Sequence, residues 1–179
     1  RSPSRGLGDV YKRQEYIMRR YSQKVAFISR VGKNLSMYTK QLLYNSIAAP
    51  HLQYCSSILY SLPHFKIKEF QIIQNRAMRA ILKCNRYTPI SLMLEVLQTL
   101  SVKQKIVYNA FIFIFKIKHN MLPSYLCEKT NTFKDTHMYN TRNCDDFVLV
   151  NSSTSSFGMN TILNKGLLEF NRLPKNIKE

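Results

Sequence analysis

Phe70-Gln71-Ile72-Ile73-Gln74-Asn75-Arg76-Ala77-Met78-Arg79-Ala80-Ile81-Leu82, led in by Lys66-Ile67-Lys68-Glu69 and followed by Lys83, is the stretch that decides the fold. At about 100° per residue, Phe70, Ile73, Ala77 and Ile81 fall on one side of a helix. Lys68, Arg76, Arg79 and Lys83 cluster roughly opposite. A helix over 66–82 is therefore predicted, with an apolar face to bury and a basic face turned outward.

The same period extends in both directions. Ile17, Tyr21, Val25, Ile28 and Val31 predict a helix over 15–31, stopped by Gly32 and Asn34. Ser36 can cap a second helix through Ala49. Pro50 should end or kink it, because proline lacks the N–H donor and crowds the preceding turn. A helix over 51–60 would present Leu52, Cys55, Ile58 and Leu59, with Pro63 closing the section. Asn85, Thr88 and Pro89 form a break. A short helix over 90–100 follows, then one over 102–118 capped by Ser101. Its apolar core, residues 106–117, is too short for a membrane span of about 20 residues and reads as a buried helix. After Asn120 the composition turns polar. Residues 121–126 read as a turn and short helix, Phe147-Val148-Leu149-Val150 as one short strand, and 159–170 as a last helix ending at Leu173-Pro174. The expected fold is mainly α: an irregular bundle of about six to eight helices with a less ordered C-terminal third. The expected organisation is a basic helical region over 15–120 and a C-terminal region over 121–179 with a polar loop and a final helix.

Residues 4–14, Ser-Arg-Gly-Leu-Gly-Asp-Val-Tyr-Lys-Arg-Gln, resemble the translation of a transposase-based sequencing-library adaptor. Segment 1–14 is accordingly set apart as artefactual and expected to be disordered, with the native chain starting upstream of Glu15.

Charge is unevenly spread. Between Tyr16 and Asn120 stand sixteen Lys and Arg but only two acids, Glu69 and Glu95, a balance of +14. Such a field favours polyanions, nucleic acid first. Arg19, Arg20, Lys24 and Arg30 decorate the first helix as Lys68, Arg76, Arg79 and Lys83 decorate the 66–82 helix. Ordinary surface helices mix signs; these do not. Faces of this kind grip phosphates without reading bases. These eight residues are the nucleic-acid-binding candidates, and RNA and DNA are the expected partners.

Sites for chemistry are not expected. The four cysteines, Cys55, Cys84, Cys127 and Cys144, stand far apart without zinc-ligand spacing. The histidines have no local acid–nucleophile arrangement. Asp145-Asp146 is the one acidic pair. A two-metal polymerase site would need a further carboxylate on a neighbouring strand and a tight hairpin around the pair. Neither context surrounds it. No catalytic, cofactor or metal residue is assigned.

Several motifs, taken in order, carry a resemblance. Leu43-Tyr44 is followed by Pro50, Leu52, Tyr54 and Cys55. Then come Phe70-Gln71 through Leu82, then Pro123, Tyr125 and Leu126, then Tyr139-Asn140-Thr141-Arg142, then Phe170-Asn171-Arg172-Leu173-Pro174. Together they resemble the region downstream of the polymerase core in non-LTR, jockey-like LINE retrotransposon reverse transcriptases. In that family a tryptophan stands where Phe170 does here. The resemblance covers residues 15–179 and implies a fragment of an RNA-directed DNA polymerase: the thumb and downstream helical part, contacting template–primer or element RNA. It implies Mg²⁺ for the parent polymerase but not for this fragment, and the missing palm domain as a partner. It further implies a nuclear or cytoplasmic ribonucleoprotein setting; no membrane is expected, because the apolar run at 106–117 is too short to span one. A stand-alone basic helical module, binding nucleic acid or an acidic protein, is the alternative.

Overall fold

The computed structural model describes residues 5–54, 56–136, 139, 144–149 and 160–178, without the side chains of residues 5–11, 57 and 58. The chain is mainly helical, at 73%, as the periodicities predict. It divides into two compact units, Arg1–Ile106 and Val107–Glu179. Each has its own hydrophobic core.

In the first unit, helix α1 (Arg5–Val31) buries Ile17, Tyr21, Val25 and Ile28. It begins ten residues before the expected start, through the segment expected to be disordered. Extending an existing helix adds one hydrogen bond per residue without a new nucleation cost. That gain can exceed the roughly 1 kcal/mol each that Gly6 and Gly8 cost.

Gly32–Asn34 form a 3₁₀ turn, and Ser36 caps α2 (Met37–Leu43). The Thr39 N–H donates to Ser36 Oγ at 3.2 Å, satisfying one of the orphan donors of the first turn. Pro50 does not end this helix. A wide π turn over Tyr44–Ala48 carries it into α3 (Ala49–Gln53), with Pro50 in the first turn where its missing N–H costs little. The expected single helix over 51–60 is interrupted: Tyr54 is extended at ψ 124, and α4 (Ser56–Tyr60) starts anew.

Helix α5 (His64–Leu82) follows Pro63 and places Phe70, Ile73, Ala77 and Ile81 in the core as its period predicts. Lys83 closes it at φ 53, in the left-handed region. Helix α6 (Ile90–Val96) is shorter than the 90–100 expected, because Gln98 turns the chain at φ 47. Helix α7 (Val102–Lys118) opens with a reciprocal cap. The Ser101 N–H and hydroxyl donate to Gln104 Oε1 at 3.0 and 2.7 Å, and the Gln104 N–H returns to Ser101 Oγ at 3.4 Å. Its residues Val102 and Ile106 belong to the first core and Ile114 and Ile117 to the second. The helix is buried on one face only, since Tyr108 and Ile112 are exposed.

The second unit has short elements: α8 (Ser124–Cys127), α9 (Phe133–Thr136), a π turn over Ile162–Gly166, α10 (Leu167–Asn171) and α11 (Lys175–Lys178). The expected start of the last helix at Met159 lies outside the described residues; within them it begins at Ile162 and runs to Asn171. Of the strand expected at 147–150, the described residues 147–149 form none. What exists is a single antiparallel bridge between Thr132 and Phe147, with Val150 outside the described residues. Asn171 occupies the edge of Phe147 opposite Thr132, whose neighbours Asn131 and Phe133 bond to the Val148 N–H and the Asp146 carbonyl. The Asn171 Oδ1 accepts from the Phe147 N–H at 3.1 Å, and its Nδ2 donates to the Phe147 carbonyl at 2.9 Å. Both groups that a further strand would use on that edge are taken by one side chain.

Candidate nucleic-acid interface

Register along α5 puts Lys68, Arg76, Arg79 and Lys83 within a sector of about 80°, away from the buried side. Lys68, Arg76 and Lys83 are exposed, and Arg79 is half-buried with its Nε enclosed and lacking a hydrogen-bond acceptor. Two large apolar side chains share the sector, Phe65 and Ile72, both more than half exposed. The one acid on the helix, Glu69, is paired with Lys66 at 3.1 Å. Among the described residues no acid forms an ion pair with any of the eight basic candidates.

The four candidates on α1 do not share one face. Arg19 and Arg30 lie opposite the core, whereas Arg20 and half-buried Lys24 line a flank. Arg19 and Arg76 come together instead on a shallow groove between α1 and α5. Met18, Ser22, Ile72, Ile73, Glu15 and Glu69 line it with them. Basic and acidic groups alternate there, so the groove itself is not a uniform phosphate track. The uniform positive sector is the outer face of α5.

The framework beneath that face is polar in a way the basic pattern did not signal. Gln71 Nε2 donates to Gln74 Oε1 and to Asn75 Oδ1, both at 2.9 Å. Gln71 Oε1 accepts the Val102 N–H at 2.9 Å, and Gln74 Nε2 donates to the Leu100 carbonyl at 2.8 Å. The Gln41 amide donates to the Leu97 carbonyl at 2.8 Å. These bonds fix the turn between α6 and α7 and satisfy backbone groups that would otherwise be costly to bury. Tyr21 and Tyr44 share a hydroxyl–hydroxyl bond of 2.9 Å inside the core. Burial pushes both phenols upward in pKa. The motif residues Tyr44, Gln71, Gln74 and Asn75 are thus connectors of the first unit. A polar residue on an apolar face was the available signal, since Gln74 sits between Phe70 and Ala77 at helical spacing.

Lys40 is the other residue the sequence reading passed over. It is buried, and its ammonium donates to the Ala80 carbonyl at 3.2 Å, at the C-terminal end of α5. A cation there meets the negative end of the helix dipole. Burial first, and the Lys83 charge second, hold its pKa below the ordinary lysine value.

The acidic pair is not arranged for metal chemistry. Asp146 accepts from Lys178 Nζ at 3.0 Å, and the same ammonium donates to the Asn171 carbonyl at 2.6 Å. Asp145 is exposed and lines a hollow with Glu128, Asp135 and Lys118. Asp135 is engaged by Thr132, whose hydroxyl and N–H hold its carboxyl below the usual range. Among the described residues no three His, Cys, Asp or Glu side chains could hold an ion together. The donors present do not fit a two-metal site. Cys84, Cys127 and Cys144 are not in disulfides, and Cys55 lies outside the described residues. Within the Tyr139–Arg142 motif only Tyr139 is described, and it is exposed. No described helix is long and apolar enough to cross a membrane.

Comparison of the chain with family models, with curated proteins and with solved structures finds no match.

Proposed function

We propose that this chain is a non-catalytic part of a non-LTR retrotransposon reverse transcriptase that contacts template–primer or element RNA through its first unit. The observation that carries the reading is the outer sector of α5. Lys68, Arg76, Arg79 and Lys83 converge there, and the only acid on the helix is occupied by Lys66. A converged cationic face with no paired anion attracts phosphate and releases counterions on binding. The order of family-like motifs supports the parent assignment. Mg²⁺ belongs, on this reading, to the palm domain of the parent polymerase. A stand-alone basic module that binds nucleic acid or an acidic protein is the alternative.

The test is binding of the full chain to a labelled RNA hairpin across a range of salt concentrations. The account expects log affinity to fall linearly with log salt. Arg76→Gln should weaken binding uniformly across sequences and reduce the slope by about one. Binding that is absent at low salt, or indifferent to salt, overturns the proposal.

A further inference from the structure

We infer that the shallow groove between α1 and α5 is a subsite for one unpaired nucleotide, and that it favours a base carrying an amino group, cytosine over uracil. The inference rests on the nucleic-acid reading and names what that surface would select.

The groove has a volume of about 400 Å³, within the range of small-ligand sites. All of its residues lie between positions 15 and 76. From α1 come Glu15, Met18 and Arg19, spaced i, i+3 and i+4. From α5 come Glu69, Ile72, Ile73 and Arg76, spaced i, i+3, i+4 and i+7. Such spacing puts each set on one face of its helix. The two helices run in the same direction. The Tyr21 ring lies 6.5 Å from that of Phe70, and Gly32, just after α1, lies against the Lys40 stem, whose ammonium reaches the Ala80 carbonyl. Both glutamates therefore stand at one end, with Arg19 and Arg76 one and two turns further along.

The Glu69 carboxylate is taken by Lys66 at 3.1 Å. Glu15 forms no ion pair among the described residues, even with Arg19, although an i, i+4 spacing permits one. Between the charged ends lies apolar surface: Ile72 is 52% exposed, and Met18 is half-buried.

A nucleotide is polarised in the same sense. Its phosphate suits the guanidinium groups, and an unstacked base suits apolar side chains. An exocyclic amino group suits the carboxylate, which only accepts hydrogen bonds. Cytosine presents its N4 amino group, the donor that Glu side chains read. Uracil has the same shape but carries a carbonyl oxygen there, so two acceptors would face each other. A paired base is held in its stack and does not reach the groove. Arg76 belongs also to the basic sector of α5, so the groove opens off the surface that would hold the neighbouring phosphates. Phosphate binding alone is opposed by a carboxylate at this position, whereas base reading uses it.

The test measures anisotropy of labelled oligo(C) and oligo(U) of equal length, with the full chain at matched salt concentrations. Oligo(C) is expected to bind about tenfold more tightly. Glu15→Gln should bring the two ligands close to parity, since an amide can also donate to the uracil carbonyl. Glu95→Gln removes the same charge from an exposed position outside the groove, and should leave the ratio as in the wild type. Circular dichroism confirms that both variants remain helical. Salt-dependent binding in which oligo(U) binds at least as tightly as oligo(C) overturns the groove and leaves the phosphate-binding reading standing. So does a preference for oligo(C) that survives Glu15→Gln, or one that Glu95→Gln removes equally. No binding of either ligand at low salt overturns both.

Discussion

The two units solve the problem of holding a core in different ways. Arg1–Ile106 carries eighteen Lys and Arg against four acids, and Val107–Glu179 carries nine against six. The first unit is built from long amphipathic helices, so most of its buried apolar side chains recur at helical spacing. The second packs the C-terminal part of α7 with short helices tied by specific long-range bonds. Phe170 packs its ring 6.1 Å from both Phe111 and Phe147. Asn171 clamps the Phe147 backbone, and Lys178 ties Asp146 to the Asn171 carbonyl. The basic sector of α5 is displayed on the first unit, whereas in the second the Lys178–Asp146 pair is an internal tie.

Phe170→Ala should be the largest perturbation. It removes a buried ring shared by two aromatic neighbours, at a cost of about 3–5 kcal/mol. Hydrogen exchange should show lost protection over 144–149 and 162–171. Gln74→Leu tests whether the first unit also depends on specific polar bonds. It leaves the Leu100 carbonyl without its donor, and destabilisation of about 1–3 kcal/mol is expected in urea. A neutral result would mean that helix periodicity alone sustains that unit. Gly166→Ala probes packing in the second. A Cβ there would meet Ile114 Cδ1 and Ile162 Cγ1 at 3.1 Å, and a loss of about 1 kcal/mol in thermal unfolding is expected.

The smallest effect is a pH dependence at Lys40. Its folded pKa is lowered, so the unfolded chain binds more protons between the folded value and the ordinary 10.5. The penalty is complete below the folded value and is relieved as pH rises toward 10.5. Stability of the wild type relative to Lys40→Met should therefore increase from neutral to alkaline pH in urea titrations. Comparison with the variant matters because the raised Tyr21 and Tyr44 hydroxyls contribute the opposite trend in both proteins.

What could be read from sequence divides along the same line. The α5 face, the Ser36 cap and the start of α7 at Ser101 depend on residues three or four apart, and all were legible. The break at Tyr54 and the π turn before Pro50 depend on how the chain packs around a proline, and they were not. Asn171 and Lys178 were invisible as structural ties, because their partners lie 24 and 32 residues away. The basic sector of α5 was legible as a pattern. Its freedom from acid partners emerges only in the fold, where Glu69 is taken by Lys66.

The most direct test compares charge removal in the two units. One variant of the full chain combines Lys68→Gln, Arg76→Gln and Lys83→Asn, asparagine being tolerant of the left-handed backbone at that position. The other combines Lys129→Gln, Lys134→Gln and Lys175→Gln, all exposed in the second unit. Each loses three positive charges, so net charge is matched. The account predicts that the first variant loses RNA affinity and lowers the salt slope by about two to three, while the second binds nearly as the wild type does. Equal losses in both would contradict it, because binding would then follow net charge and not the face of α5.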